Sequence, residues 1–292
     1  MTQSPRPARP RELQDALNYH IYHPLAWRIA LRLADTSVTP NIVSVAGMVC
    51  IMLAALAYAQ PGWPLPALLG LALHMGWHVL DGADGDLARL TKRASTRGEL
   101  IDGTCDYLGH IVLYLTLAFV LQVEIGAAAW WLVVAAGVSH IAQINFYEIQ
   151  RRQYQYWVHS NAWMRSAASL PEGVLGVFAR AHLGLARGHS PLTGRIDLAL
   201  ESAQGNSAEL ARIRGIVRRH FAQVLPGLNI LGSNQRTIVL GLSMLAGSSL
   251  YYFVYVAVLL NIALVAFIIY ARRSTSSILR EISGPTADAP PA

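Results

Sequence analysis

Apolar positions gather into runs at about 41–59, 66–80, 100–122, 127–147, 237–249 and 251–271, with polar stretches between them. Several runs approach the ~20 residues a helix needs to cross a bilayer core. The second is shorter, but its helix can continue as a polar segment to about Leu90. Thr237 to Ala271 forms one apolar stretch too long for a single crossing. A split at Ser248-Ser249 gives two spans, the fifth of marginal length. The expectation is an all-α, polytopic six-transmembrane helix bundle.

Ahead of the first run, Leu13, Leu17, Ile21 and Leu25 recur at helical spacing, broken at Pro24. Trp27 suits the headgroup boundary, and Arg28 and Arg32 suit lipid phosphates, so residues 11–38 read as an N-terminal interfacial amphipathic segment. A soluble arm is the alternative. Thr39 is placed to cap the first span and Pro40 to open it. The expected organisation is a disordered arm at 1–10, the interfacial segment at 11–38, and helices one to four at 39–149. A long cytoplasmic insertion at 150–234, helices five and six at 235–272 and a cytoplasmic tail at 273–292 follow.

Composition strengthens the membrane reading. Hydrophobic residues make up 53% and charged residues 14%, against about 25% charged in soluble domains. Met1–Asn41 has no apolar core of the signal-peptide kind, so no cleavage is expected there. Cys50 and Cys105, the two cysteines, fall in apolar segments and imply no disulfide framework.

The net charge of +6 invites a nucleic-acid reading. Its distribution argues otherwise. All 23 Lys and Arg fall in the N-terminal arm, the second and fourth connections and the tail. The other three connections have none. Six spans then put every basic residue, and both termini, on the cytoplasmic side. The high pI reflects a face beside anionic lipid, and no nucleic-acid partner is expected.

The second span ends in Asp81-Gly-Ala-Asp84-Gly85-Asp86-Leu-Ala88-Arg89, and Gly98, Asp102 and Asp106 follow at the start of the third. Asp81, Asp84 and Ala88 share one helical face, and Gly98, Asp102 and Asp106 stack at offsets of four. A hairpin at Leu90–Arg97 makes the two helices antiparallel neighbours, so four carboxylates converge at the cytoplasmic boundary. Carboxylates in a membrane are functional by default. Four of them repel unless cations intervene, and two divalent ions would cancel their charge. Oxygen-only ligands favour Mg²⁺ or Mn²⁺. Gly85, Ala88 and Gly98 leave helix faces bare, where a flat ligand can lie against backbone. A salt-bridge network or packing seam accounts for neither the Asp spacing nor these glycines.

The string D-x2-D-G-x2-A-R-x8-G-x3-D-x3-D, matched here from Asp81 to Asp106, resembles the signature of the CDP-alcohol phosphatidyltransferase family. Thr39-Pro40-Asn41 and Ser44 are similar to the family's first-helix pattern, with Ser for the commoner Thr. The likeness covers about 20–148 and 235–272; the segment between is unlike the family's short connection. It implies an integral membrane enzyme, a homodimer, that takes a CDP-linked donor and an acceptor alcohol and releases CMP. It implies Asp81, Asp84 and Asp102 as metal ligands. Asp106 is implied as general base that also touches a metal. Gly85, Ala88, Arg89, Gly98 and Asn41 are implied to bind the CDP part of the donor. A bacterial inner-membrane location with a cytoplasmic site is expected.

Elsewhere, His140, Gln143, Tyr147, Arg151 and Tyr154 form a polar stripe at the end of the fourth span. It reads as an acceptor pocket, with Arg151 near phosphate, or as an interfacial girdle. His74 and His78 read as hydrogen-bonded bundle residues or as supports behind the metal ligands, with zinc binding the weaker alternative for want of a third soft ligand. Asp86 is expected to be solvated. Asn206-x-x-Glu209 resembles a capping box for a helix to about Val224, whose Leu210, Ile213, Val217, Phe221 and Val224 share a face. That helix reads as a cap on the membrane or over the site, or as a docking surface.

The favoured donor is CDP-diacylglycerol with a small polar acceptor, phosphorylated or not. The alternative is a CDP-headgroup donor with diacylglycerol or ceramide as acceptor. In other classes, a divalent-cation transporter also uses intramembrane Asp clusters, and a non-catalytic adaptor would use the insertion.

Overall fold

The computed structural model describes residues 9–160, 191–222 and 224–284. The expectations for Met1–Ala8, for the insertion at 161–190 and for the tail from 285 lie outside the described residues. Every regular element among the described residues is helical.

The chain divides into two compact units. The first comprises Met1–His140 and Ser233–Leu259. It opens with a helix that passes through a π-helical segment, Asn18–Tyr22, into α1, His23–Leu33. Pro24 therefore does not break the helix, contrary to expectation; it follows directly on the π-helical turn, a local rewinding of the kind that accommodates a missing N–H. Ala26 and Ala30 are buried, while Ile21, Leu25, Arg28 and Arg32 are exposed. The small residues let α1 approach closely, and they pack with Val43, Ala83 and Leu87 in one core cluster.

Next come α2, Pro40–Tyr58, α3, Leu65–Leu90, and α4, Thr96–Ile125. Helix α5 runs from Ala128 to His159, past the expected end of the fourth span. Close packing in this unit depends on absent side chains. A Cβ on Gly70 would stand 2.5 Å from the Tyr58 ring. Helix α3 is also met by Gly241 in a later helix, where a Cβ would stand 2.6 Å from Leu71 Cδ1.

The second unit comprises Ile141–Gly232 and Leu260–Ala292. Here α6, Pro191–Ser202, and α7, Ser207–Phe221, pack on the end of the last helix of the chain. Asn206 caps α7 as its sequence predicts, its Oδ1 accepting the Glu209 N–H at 3.1 Å. Ile213, Ile216, Val217 and Phe221 are buried, with Tyr154 and Trp157 among their neighbours in the core. The apolar face of α7 is thus spent on packing within the unit.

Among the described residues, four helices are long and apolar enough to cross a membrane: α2, α4, α5 and Leu250–Ser283. The chain does break between Leu245 and Leu250, at the expected place. The two remaining expected spans differ. Helix α3 has the length, but its last third is the acidic stretch. Helix α8, Ser233–Leu245, has 13 residues, about 20 Å of rise against a core of about 30 Å. The last helix, α9, Leu250–Ser283, continues well beyond the expected end at residue 272.

Candidate active site

The site grows from the turn between α3 and α4. Helix α3 ends with Lys92 in the left-handed region at φ 54°. That bend lets the Arg93 N–H reach back to the Ala88 carbonyl at 2.8 Å. Ser95 then caps α4, its hydroxyl accepting the Gly98 N–H at 3.1 Å. The turn is therefore shorter than the expected Leu90–Arg97 hairpin, and it returns α4 antiparallel along α3.

This hairpin brings the carboxylates together as their spacing predicts. Carboxylate oxygens of Asp81, Asp102 and Asp106 lie within 4.8 Å of one another. Asp84 is buried, accepts the Ser44 hydroxyl at 2.6 Å and lies beside Asp102. Thr39 makes no side-chain cap, contrary to expectation; Pro40 alone shapes the start of α2. Asn41, one residue on, lies by Gly98, where a Cβ would stand 3.8 Å from its Oδ1. The donor set at Asp81, Asp102 and Asp106 is all oxygen and anionic, which fits Mg²⁺ or Mn²⁺.

Asp106 is held from two sides. The Trp77 indole N–H donates to its Oδ1 at 2.8 Å, and His110 Nδ1 bonds its backbone carbonyl at 2.8 Å. Sequence reasoning missed Trp77. Its signal was present: it lies four residues before Asp81, one turn away on the same face of α3.

Asp86 is not solvated. Only 2% of its side chain is exposed, and its Oδ1 accepts from both Arg9 and Arg89 at 2.6 Å. The Arg89 guanidinium lies over Gly85, where a Cβ would stand 3.4 Å from Nη2.

Behind the carboxylates is a cluster of imidazoles. His74 stacks with His78 at 6.2 Å, His110 meets His74 at 5.9 Å, and His140 meets His110 at 5.8 Å. His78 bonds the Thr237 hydroxyl at 2.8 Å and stacks on Tyr22. Burial, with Asp15 nearby, pushes the Tyr22 phenol up to about 12, so it stays neutral. Both ring nitrogens of His74 are buried without a hydrogen-bond partner among the described residues. Among those residues no histidine group has the spacing of a metal site; the Asp81, Asp102 and Asp106 trio does.

The polar stripe of α5 is engaged within the protein. His140 bonds the Tyr114 hydroxyl at 2.9 Å, Gln143 donates to Asn261 at 2.9 Å, and Tyr147 donates to Asn229 at 3.3 Å. Arg151 pairs with Glu148 at 3.2 Å, and Tyr154 is buried.

Comparison with curated proteins finds no match. Residues 37–170 do match the family model described as CDP-alcohol phosphatidyltransferase. Members of that family move a substituted phosphate from a CDP-linked alcohol to an acceptor, generally with a divalent metal. Residues 37–170, which hold the whole acid motif, thus form a CDP-alcohol phosphatidyltransferase domain by their match to that family model, in a chain whose described residues include four helices of bilayer length.

Proposed function

We propose that the protein transfers the phosphatidyl group of CDP-diacylglycerol to a small polar acceptor, with release of CMP. The observation that carries the reading is the approach of Asp81, Asp102 and Asp106 to within 4.8 Å, with Asp84 beside them. Oxygen ligands so close need a cationic partner, and two divalent ions held by Asp81, Asp84, Asp102 and Asp106 would neutralise the pyrophosphate of the donor. Gly85, Ala88 and Gly98 would receive the cytidine once the Arg89 side chain moves off Gly85, with Asn41 beside Gly98. Asp106 accepts the proton of the attacking hydroxyl. Its bond from Trp77 keeps one carboxylate oxygen engaged and fixes the direction of the other.

The arginines near the end of α5 favour a phosphate-bearing acceptor, with His140, Gln143, Tyr147 and Arg151 as the side chains that would meet it. Engaging Arg151 then means exchanging Glu148 for the acceptor. Six passes, with α3 and α8 completing the path, put all 23 Lys and Arg on the cytoplasmic side. The many small residues on these helices also suit close pairing of two copies, and a homodimer is proposed.

The test is turnover of purified protein with a panel of donors and acceptors. CDP-diacylglycerol is offered with glycerol phosphate, inositol phosphate, inositol or serine; CDP-headgroup donors are offered with diacylglycerol or ceramide. CMP release and the product mass identify the pair. Cation flux without CMP release would replace the transferase by a transporter.

A further inference from the structure

Asp86 stands inside the acid motif but is not one of its matched positions, and two arginines share one of its oxygens. We infer that Arg9 is a positioning residue for the nucleotide donor: as second counter-ion of Asp86, it frees Arg89 to leave that carboxylate and bind the donor's phosphates. The inference rests on the reading of Gly85 and Arg89 as part of the donor site.

The geometry separates a fixed arginine from a movable one. Arg89 is half exposed, whereas the Arg9 side chain is 24% exposed. Gln14 Nε2 bonds the Arg9 carbonyl at 2.8 Å. Gln14 is buried and is itself bonded to His23 of α1 at 2.9 Å. One residue on, Asp15 accepts from Asn234 of α8 at 2.7 Å. The arm is thus tied at successive residues to α1 and α8, and its Arg9 reaches Asp86 on α3.

Arg89 meanwhile rests on the bare face of Gly85, which the nucleotide needs. It must move for the donor to enter. Were it the sole partner of Asp86, its departure would strand a buried carboxylate, a costly state. With Arg9 in place, Asp86 remains paired whether Arg89 is parked or engaged. The trio also carries one net positive charge, which draws an anionic nucleotide toward the motif.

The experiment is a double-mutant cycle on the full chain, read by CDP affinity, the KM for donor and acceptor, kcat and thermal midpoint. Arg9→Ala should raise the donor KM and weaken CDP binding by ~10-fold or more, since Arg89 becomes bound to Asp86. The acceptor KM and kcat should change little. Arg9→Lys should lie near wild type. Asp86→Asn removes the charge that traps Arg89, so Arg9→Ala combined with Asp86→Asn should regain most of the lost CDP affinity.

An Arg9→Ala protein with unchanged CDP affinity overturns the inference. So does a double variant no better than Arg9→Ala, or a rise in acceptor KM equal to that in donor KM; each would make Arg9 an anchor of the arm alone. A wild-type protein that binds no CDP and releases no CMP from any CDP-donor overturns the transferase reading, and this inference with it.

Discussion

Trp77 and Asp106 sit on adjacent helices, and the indole N–H of one meets a carboxylate oxygen of the other at 2.8 Å. A tryptophan in an apolar run normally faces lipid headgroups or core. Here it orients the carboxylate proposed as base. Trp77→Phe keeps most of the ring and removes the donor. Hydrogen bonds to charged groups are worth ~1.5–3 kcal/mol, so kcat should fall by roughly 10-fold or more. The smaller ring also leaves space in a buried site, so the thermal midpoint should fall modestly, and turnover is compared on the folded fraction. Unchanged turnover in Trp77→Phe would reduce the indole to packing.

Asp106→Asn should nearly abolish turnover while largely preserving donor binding. A lost general base typically costs ~10²–10⁴ in rate. Asp81→Asn and Asp84→Asn should weaken metal and donor binding together, because they remove charge from the proposed metal ligands. CDP-donor affinity and CMP release on the same folded preparations separate the two effects. If Asp106→Asn loses donor binding as fully as Asp81→Asn, Asp106 is a ligand, and His78 is the next base to test.

Chelation should stop CMP release, and Mg²⁺ or Mn²⁺ should restore it. Full activity in metal-free chelating buffer would leave the mutual repulsion of Asp81, Asp102 and Asp106 unexplained and sink the metal assignment.

Arg151→Ala should raise the acceptor KM more than the donor KM. It also leaves Glu148 with Arg152 as its neighbour at 3.5 Å, so that carboxylate keeps a counter-ion and the fold should hold. Equal effects on both substrates would return the α5 stripe to an interfacial role.

Gly241→Ala tests packing rather than chemistry. The added methyl would meet the Leu71 side chain at 2.6 to 3.0 Å. Overpacking of this kind costs ~1–3 kcal/mol, so the thermal midpoint in detergent should drop. CDP affinity of the folded fraction should stay near wild type. A neutral midpoint would mean that α3 and α8 separate easily.

The acid site was legible because its information is local. Offsets of three and four on two consecutive helices fix which carboxylates face one another, and Asn206 with Glu209 marks a helix start as plainly. Partners from distant sequence were not legible. Asp86 looks solvated until Arg9, from a stretch read as disordered, is seen to bond it. Gln143 and Tyr147 look like open polar positions until Asn261 and Asn229 meet them. The count of spans was blurred for another reason: a 20-residue hydropathy rule reads neither a helix that ends in aspartates nor one of 13 residues.

Because the short turn after α3 joins all four carboxylates, their meeting belongs to the chronology of biosynthesis. The ribosome has made every one of them by Asp106, long before Ser233–Leu259 exists to complete the first unit. Contacts this close in sequence form early. The nascent hairpin would therefore face its own electrostatic repulsion during synthesis, and the proposed cation, arriving then, would act as a folding ligand. Scarcity of divalent ions during synthesis should accordingly appear as lost protein as well as slow turnover.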